Sequence, residues 1–242
     1  TVNYYGDVEF FPVLNTIFEK IYGESPYKSP TDMGVNMAGN CICDDEACRE
    51  ASKQEIIRRY FDALNALAKG STSEKEAQKI ELLMNMAGIT VTDRKVVIKA
   101  LERAKETDGP AAALELRDGR IITGKTTNLL GASAALLLNV LKVLAGIDHE
   151  THIISPESIE PIQKLKVDYL KSKNPRLHTD EVLIALSASA ATNPQARLAL
   201  SQLPELAGCQ AHTSVMLSDV DIKIFKKLEV QLTSEAVYEH AL

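Results

Sequence analysis

The sequence predicts an α/β protein, α+β overall, in which a helical subdomain precedes a three-layer α/β domain with a mixed sheet. Three observations predict it. Long amphipathic segments with short connections fill the stretch from Asp44 to about Thr107. After Pro110, short apolar and β-branched runs alternate with helical ones in the order β-β-α-β-α-α-α-β-α-β. The 242 residues are 45% hydrophobic and 25% charged, enough apolar material for a sizeable core.

Taken in order, Phe10, Leu14, Ile17, Phe18 and Ile21 recur at helical spacing, and Gly23 ends the pattern. The polar segment from Ser25 to Asn40 holds two prolines and two glycines and reads as a surface or binding loop. Asp44 or Asp45 caps a long helix that Gly70 stops. On it, Lys53, Arg58 and Arg59 read as solvated or paired with Glu50 and Glu55. Ser73 and Glu76 have capping-box spacing and open a helix that ends at Gly88. Thr92 or Asp93 caps a third helix, which dissolves in Thr107-Asp108-Gly109-Pro110. Beyond it, 111–117 and 120–124 read as a hairpin, 131–145 as a strongly apolar helix and 151–155 as a short strand. Segments 158–171 and 178–192 read as helices, and Pro194 starts another. A strand over 211–217, a helix over 219–228 and a strand over 229–233 follow. The expected domains are 1–40, 41–108 and 109–242.

Charge and hydropathy exclude several function classes. The net charge of −6 argues against nucleic acid as a partner. The longest apolar run, Ala134 to Leu138, is far too short to span a bilayer, so no membrane partner and a cytoplasmic location are expected. The chain begins at Thr1 without a methionine and is expected to be a piece of a longer protein. Of the four cysteines, Cys41, Cys43 and Cys48 cluster as C-x-C-x4-C, with Cys209 apart. That spacing matches no standard zinc knuckle, so reduced cysteines and no metal are expected.

Gly119-x-x-x-x-Gly124-Lys125-Thr126 satisfies the phosphate-loop pattern. A working loop needs a buried strand, a curled backbone and a helix starting at the lysine. Here Ile121, Ile122 and Thr123 are β-branched and favour extended backbone. Asp118-Gly119 is a strong two-residue hairpin signal, which sets Leu116 opposite Ile121. The stretch therefore reads as a hairpin, with Lys125 left as a lone cation able to face a ligand.

Peptidase and hydrolase signatures are wanting. His149-Glu150-Thr151-His152 is one residue short of H-E-x-x-H, and its two histidines cannot share a helix face as a zincin requires. No G-x-S-x-G elbow occurs. What remains is a set of polar residues in segments with no plain structural duty. Asp32 and Asn36 follow Pro30; Lys125 and Asn128 follow the hairpin; Asn174, Arg176 and His178 surround Pro175; His212 and Thr213 open a strand. Strand ends and loops beside helix N-termini are favoured ligand sites. Arg176, His178 and His212 together can make an anion pocket, since arginine offers a forked donor and histidine a proton near neutral pH. Taken singly, His178 also reads as a neighbour of a helix cap, and His212 as a packed strand residue.

Two resemblances add to this reading. The stretch from Leu114 to Leu137, LELRDGRIITGKTTNLLGASAALL, is similar to the opening of a cytidine deaminase fold, with a hairpin, a polar loop and a buried helix. In that fold the helix starts with a zinc ligand and a glutamate, and P-C-x-x-C follows the next strand. Here those places hold Ala132-Ser133-Ala134 and Ser155-Pro156-Glu157-Ser158-Ile159. The resemblance implies a deaminase-like domain without the zinc site or the deaminase reaction.

Four longer motifs, SPTDMGVNMAG (29–39), EASKQEIIRRY (50–60), KSKNPRLHTDE (171–181) and QAHTSVMLSD (210–219), resemble in order the bacterial uncharacterised protein family 0371, or domain of unknown function 1846. Members are about twice this length, and the chain resembles their C-terminal half. The resemblance implies that 1–40 belongs with a missing N-terminal half carrying its own P-G-P-G-S-G-K loop. It implies no cofactor in this chain, and ATP in the intact protein. The partners expected are a small phosphorylated ligand, the missing half and further copies in a homo-oligomer. Some members are labelled ATP-dependent peptidases, which no motif here supports. A non-catalytic oligomerisation or scaffold module is the competing reading, with the apolar helix from Gly131 to Ala145 facing a partner as well as a core.

Overall fold

The computed structural model describes residues 4–25 and 45–239, and the chain divides into two compact units, Thr1–Arg94 and Lys95–Leu242. In the first unit, α1 spans Tyr4–Tyr22, α2 Asp45–Ala68 and α3 Glu74–Ala87, and α2 packs along α3. Gly23, Gly70 and Gly88 follow these helices with φ of 82°, 70° and 65°, the left-handed conformation that suits glycine after a helix. Glu55 accepts from Arg59 Nε at 2.9 Å, one turn along α2, and also from Arg58 Nε at 2.8 Å. These basic side chains are thus paired along their own helix, as their spacing predicts.

Two of the expected caps differ. Ser73 precedes α3, yet its side chain caps nothing. The capping box stands instead at Thr90 and Asp93, where the Thr90 N–H donates to Asp93 Oδ2 at 2.6 Å around a short 3₁₀ turn. Thr90, two residues before the expected Thr92, is the cap because a 3₁₀ turn over Val91–Asp93 intervenes before the next helix.

The second unit opens with α4 (Lys95–Thr107), followed by β1 (Ala111–Glu115), β2 (Ile121–Lys125) and α5 (Ala132–Leu144). Next come α6 (Pro156–Lys164), which continues into a π-helical turn at Leu165–Tyr169, then α7 (Thr179–Ser189) and α8 (Pro194–Leu200). A 3₁₀ turn, β3 (Gln210–Thr213), α9 (Asp219–Lys227) and β4 (Gln231–Ser234) complete it. The sheet runs β2-β1-β3-β4, with β1 antiparallel to both neighbours and β3 parallel to β4. It is a mixed sheet of four strands among the described residues.

Four consecutive residues of β1, Ala111 to Leu114, have no exposed surface. Alternation sends them to opposite faces. Ala112 and Leu114 join the main core with Leu136, Leu137 and Leu141 of α5, whereas Ala113 meets Val96 and Ala100 of α4. Helices therefore cover both faces, giving three layers. The sequence had grouped α4 with the helices before it. Its apolar side instead lies on the sheet, because Val96, Val97 and Ala100 form the stripe that β1 needs on that face.

The phosphate-loop pattern is a hairpin, with a register one residue away from expectation. Glu115 pairs with Ile121, and the Leu116 N–H donates to Arg120 O at 2.9 Å. The loop has three residues, not two. The Gly119 N–H donates back to Leu116 O at 2.9 Å, and Gly119 adopts φ 82°. Asp118 Oδ1 accepts from the Arg120 N–H at 3.0 Å and favours this turn-plus-bulge over the tighter one.

The expected strand at 151–155 does not form. Neighbouring Ile153 and Ile154 both enter the core, which a half-buried strand's alternation forbids, and the segment has no ladder partner. Helix α5 is covered by its own unit. Ala134, Leu136, Leu137, Val140 and Leu141 are all fully buried against β1, β2, α7 and α8, so the face expected to meet a partner belongs to the core. No described helix is long and apolar enough to cross a membrane.

Helix α5 approaches β2 so closely that a Cβ on Gly124 would stand 2.2 Å from Leu136 N and 2.9 Å from Ala132 O. Backbone cannot swing aside as a side chain can. Gly124→Ala is therefore expected to destabilise the protein by about 1–3 kcal/mol or more, read as a lower midpoint in denaturant unfolding. An unchanged midpoint would show that α5 can shift freely.

Candidate functional site

The N-terminus of α5 and the NPRLH segment are built into one place by short-range backbone pairing. After β2, the Thr126 N–H donates to Pro110 O at 2.8 Å, and 126–130 forms a tight loop. Leu177 then bridges to it: the Leu177 N–H donates to Leu129 O at 2.9 Å, and the Gly131 N–H donates to Leu177 O at 3.2 Å. Leu177 is 1% exposed and anchors the segment in the core. Because the backbone there is extended, residues alternate. Asn174, Arg176 and His178 line a cleft of about 70 Å³ together with Gly131, Ala132 and Ser133. Asn174 Oδ1 accepts from the Arg176 N–H at 3.0 Å and shapes the turn before it.

Gly131 precedes α5 with no side chain to cap it. The first N–H groups of the helix have no carbonyl one turn back, so they present partial positive charge at the cleft. Arg176 lies on the same cleft and forms an ion pair with Glu239, which also lines it.

His178 is held by Asp221. Its Nδ1 lies 3.0 Å from Asp221 Oδ2, and Nε2 has no partner among the described residues. Asp221 Oδ2 also accepts from Ser218 Oγ at 2.7 Å, while Oδ1 accepts from the Thr179 N–H at 2.9 Å and Thr179 Oγ1 at 2.8 Å. One carboxylate thus caps the first turn of α7 and orients the imidazole beside it. Burial alone would raise the Asp221 pKa, but the hydrogen bonds from His178, the Thr179 backbone and Ser218 outweigh it and bring it to about 2. The same hydrogen bond raises His178 above its ordinary 6.5, against the opposing effect of burial. Below the segment, Lys166 is buried and donates to Arg176 O at 2.6 Å and to Glu181 Oε2 at 2.7 Å. Glu181 Oε2 in turn accepts from the His178 N–H at 2.8 Å. The π-helical turn places Lys166 for this.

The residues proposed from sequence divide into groups. Asn174, Arg176 and His178 converge on this cleft. His212 does not join them. It has no exposed surface, its Nδ1 lies 2.8 Å from Thr233 Oγ1 and its Nε2 lies 3.2 Å from Glu235 Oε1. Both ring nitrogens are spent on Thr233 of β4 and on Glu235 just beyond it, and the position is buried because β3 is a central strand covered on both faces. Thr213 is likewise buried, with Oγ1 donating to Val215 O at 2.8 Å. Lys125 and Asn128 are exposed, and Lys125 borders a separate cavity. Asp32 and Asn36 lie outside the described residues, as do Cys41, Cys43 and the side chain of Cys48. Among the described residues no three His, Cys, Asp or Glu side chains are placed to hold a metal.

A family model for the C-terminal domain of unknown function DUF1846 matches residues 92–242, and the N-terminal model of the same family matches 1–88. The chain belongs to the DUF1846 family. The boundary between the two family models falls just before Arg94, where the two compact units divide. The chain is 59% identical to a UPF0371 protein of Corynebacterium aurimucosum over 98% of its own length and 48% of that relative's. It is 51% identical to UPF0371 protein str1377 of Streptococcus thermophilus over 99% of its length and 49% of the relative's. The chain therefore spans about half the length of the curated relatives it matches. It carries residues of both DUF1846 models, so more than the C-terminal domain is present.

Sequence reasoning missed Asp221, Ser218 and Glu239. Ser218 and Asp221 have capping-box spacing at the start of α9, and Ser218 Oγ does accept from the Asp221 N–H at 3.2 Å. That signal marks a helix start; it does not reveal that the carboxylate reaches across to α7. A lowered Asp221 pKa contributes stability that is present above pH 4 and lost as pH falls toward 2, about 2 kcal/mol in all. The raised His178 pKa is the same hydrogen bond seen from its partner. Its contribution is complete below pH 6.5 and is lost as pH rises through the folded-state value. Asp221→Asn is expected to bring the His178 titration midpoint down, followed by NMR of its ring protons. A midpoint unmoved by the substitution would remove Asp221 as the cause.

Proposed function

We infer that the second unit binds a small phosphorylated or nucleotide-like molecule, placing one anionic group in the cleft at the N-terminus of α5. The observation that carries this reading is the convergence of Arg176, His178 and the N-terminal turn of α5, which has no side-chain cap, on one small cavity. Its volume, about 70 Å³, suits a single phosphate or carboxylate, with the rest of the molecule outside. Arg176 offers a forked donor, and an anion there competes with Glu239 for it. His178, oriented through Nδ1 by Asp221, has Nε2 available to donate or accept a proton.

The sheet order and the hairpin-loop-buried-helix sequence support a deaminase-like architecture for this unit. The cleft lies where such a fold starts its catalytic helix, and Ala132, Ser133 and Ala134 stand in place of a zinc ligand and an acid. The His178–Asp221 pair supplies proton chemistry there instead. In the whole protein, a nucleotide loop in the remaining half would bring the second reactant, which makes this chain the ligand-closing part of a larger enzyme. The scaffold reading loses its main support because the apolar face of α5 is interior.

Thermal shifts of the protein with inorganic phosphate and a panel of phosphorylated metabolites test the reading. A ligand at a hundred times its Kd should add about 2.7 kcal/mol of stability. Arg176→Ala and His178→Ala are expected to abolish the shift, and Lys125→Ala to leave it. A shift that survives Arg176→Ala would place the anion elsewhere.

A further inference from the structure

A second cavity, of about 280 Å³, lies along the side of α5 and the outer edge of β2, closed by the irregular segment before α6. It is independent of the cleft described above. Leu129, Leu130, Leu138, Ile153, Ile154 and Ile159 supply apolar wall. Arg103, Lys125 and Lys142 also line it, and no carboxylate does, although the chain carries a net charge of −6.

The polar groups here are poorly explained by folding alone. Arg103 donates from Nη1 to Glu106 at 3.1 Å, yet its buried Nε has no partner. Leaving such a donor unpaired is costly. Lys142 is 8% exposed, and its ammonium is satisfied by the His149 carbonyl. Burial lowers its pKa, against the pull of Asp148 and Glu150 outside the lining. The Lys125 ammonium has no hydrogen-bond or ion-pair partner among the described residues and stands exposed at the end of β2.

We propose that this cavity binds a small organic anion with an apolar, ring-sized body, its charge held by Lys125 and Arg103 and its body lying on the leucine and isoleucine wall. The size is near the lower end of ligand pockets, and an apolar lining with a few convergent polar groups is their usual composition. Arg103 adds its positive charge to that of Lys125 along the same wall. Inorganic phosphate, with no apolar body, gains nothing from the wall, which separates this site from the cleft.

Calorimetric titration of the full chain with phenyl phosphate, benzoate and the neutral benzyl alcohol tests the proposal. Both anions are expected to bind and the alcohol to bind at least about tenfold more weakly. Lys125→Gln, on an exposed side chain that leaves the fold intact, is expected to weaken benzoate about tenfold. Arg176→Ala is expected to leave benzoate binding unchanged. The proposal is overturned if neither anion binds, if benzyl alcohol binds as well as benzoate, or if binding is lost in Arg176→Ala and kept in Lys125→Gln. That last pattern would assign the anions to the cleft.

Discussion

The close approach of α5 to β2 at Gly124 is the constraint on which the second unit depends. Only a residue without a Cβ lets the helix backbone come within contact of the strand. That approach buries both edges of the leucine-rich helix and leaves its N-terminus at the end of the sheet, beside the loop that pairs with Leu177. The cleft forms at the helix start and the larger cavity along its side. Both candidate sites are therefore consequences of where one helix lies.

The two buried or half-buried histidines show how the same residue type divides between structure and chemistry. His212 has both ring nitrogens occupied by side chains of β4 and the residue that follows, so it can neither gain nor lose a ligand without breaking the sheet's interior. His178 has one nitrogen fixed by Asp221 and the other without a partner among the described residues. An oriented imidazole with one unspent nitrogen is what acid–base or anion-binding chemistry requires. Asp221 carries much of that difference, since it satisfies the start of α7 and the histidine with one carboxylate. Removing it would disturb a helix cap as well as a proton donor.

Local sequence carried much of the architecture. Helix stops at Gly23, Gly70 and Gly88, the pairing of Glu55 with Arg59, and the hairpin in place of a phosphate loop all follow from short-range rules of backbone and spacing. Failures came where the deciding partner was remote or the choice was between close alternatives. Helix α4 is amphipathic whether it packs on other helices or on a sheet, so periodicity cannot say which. Isoleucines 153 and 154 read as a strand, but no neighbouring strand is there to pair with them. The hairpin turn differs from its expected form by one residue because a two-residue and a three-residue loop use the same Asp-Gly pair.

For the candidate site, the sequence by itself determined that polar, chemically capable residues surround Pro175, since an arginine and a histidine two apart beside a helix start need no fold to be noticed. It also determined the family, through motifs spread along the chain. Only the tertiary structure decided that His178 and not His212 faces a cleft, that Asp221 lies 43 residues away in sequence yet 3.0 Å from the imidazole, and that Lys125 belongs to a different cavity. The reason is physical. Burial and hydrogen-bond partnership are properties of what packs against a side chain, and neighbours brought in by folding leave no mark on local spacing.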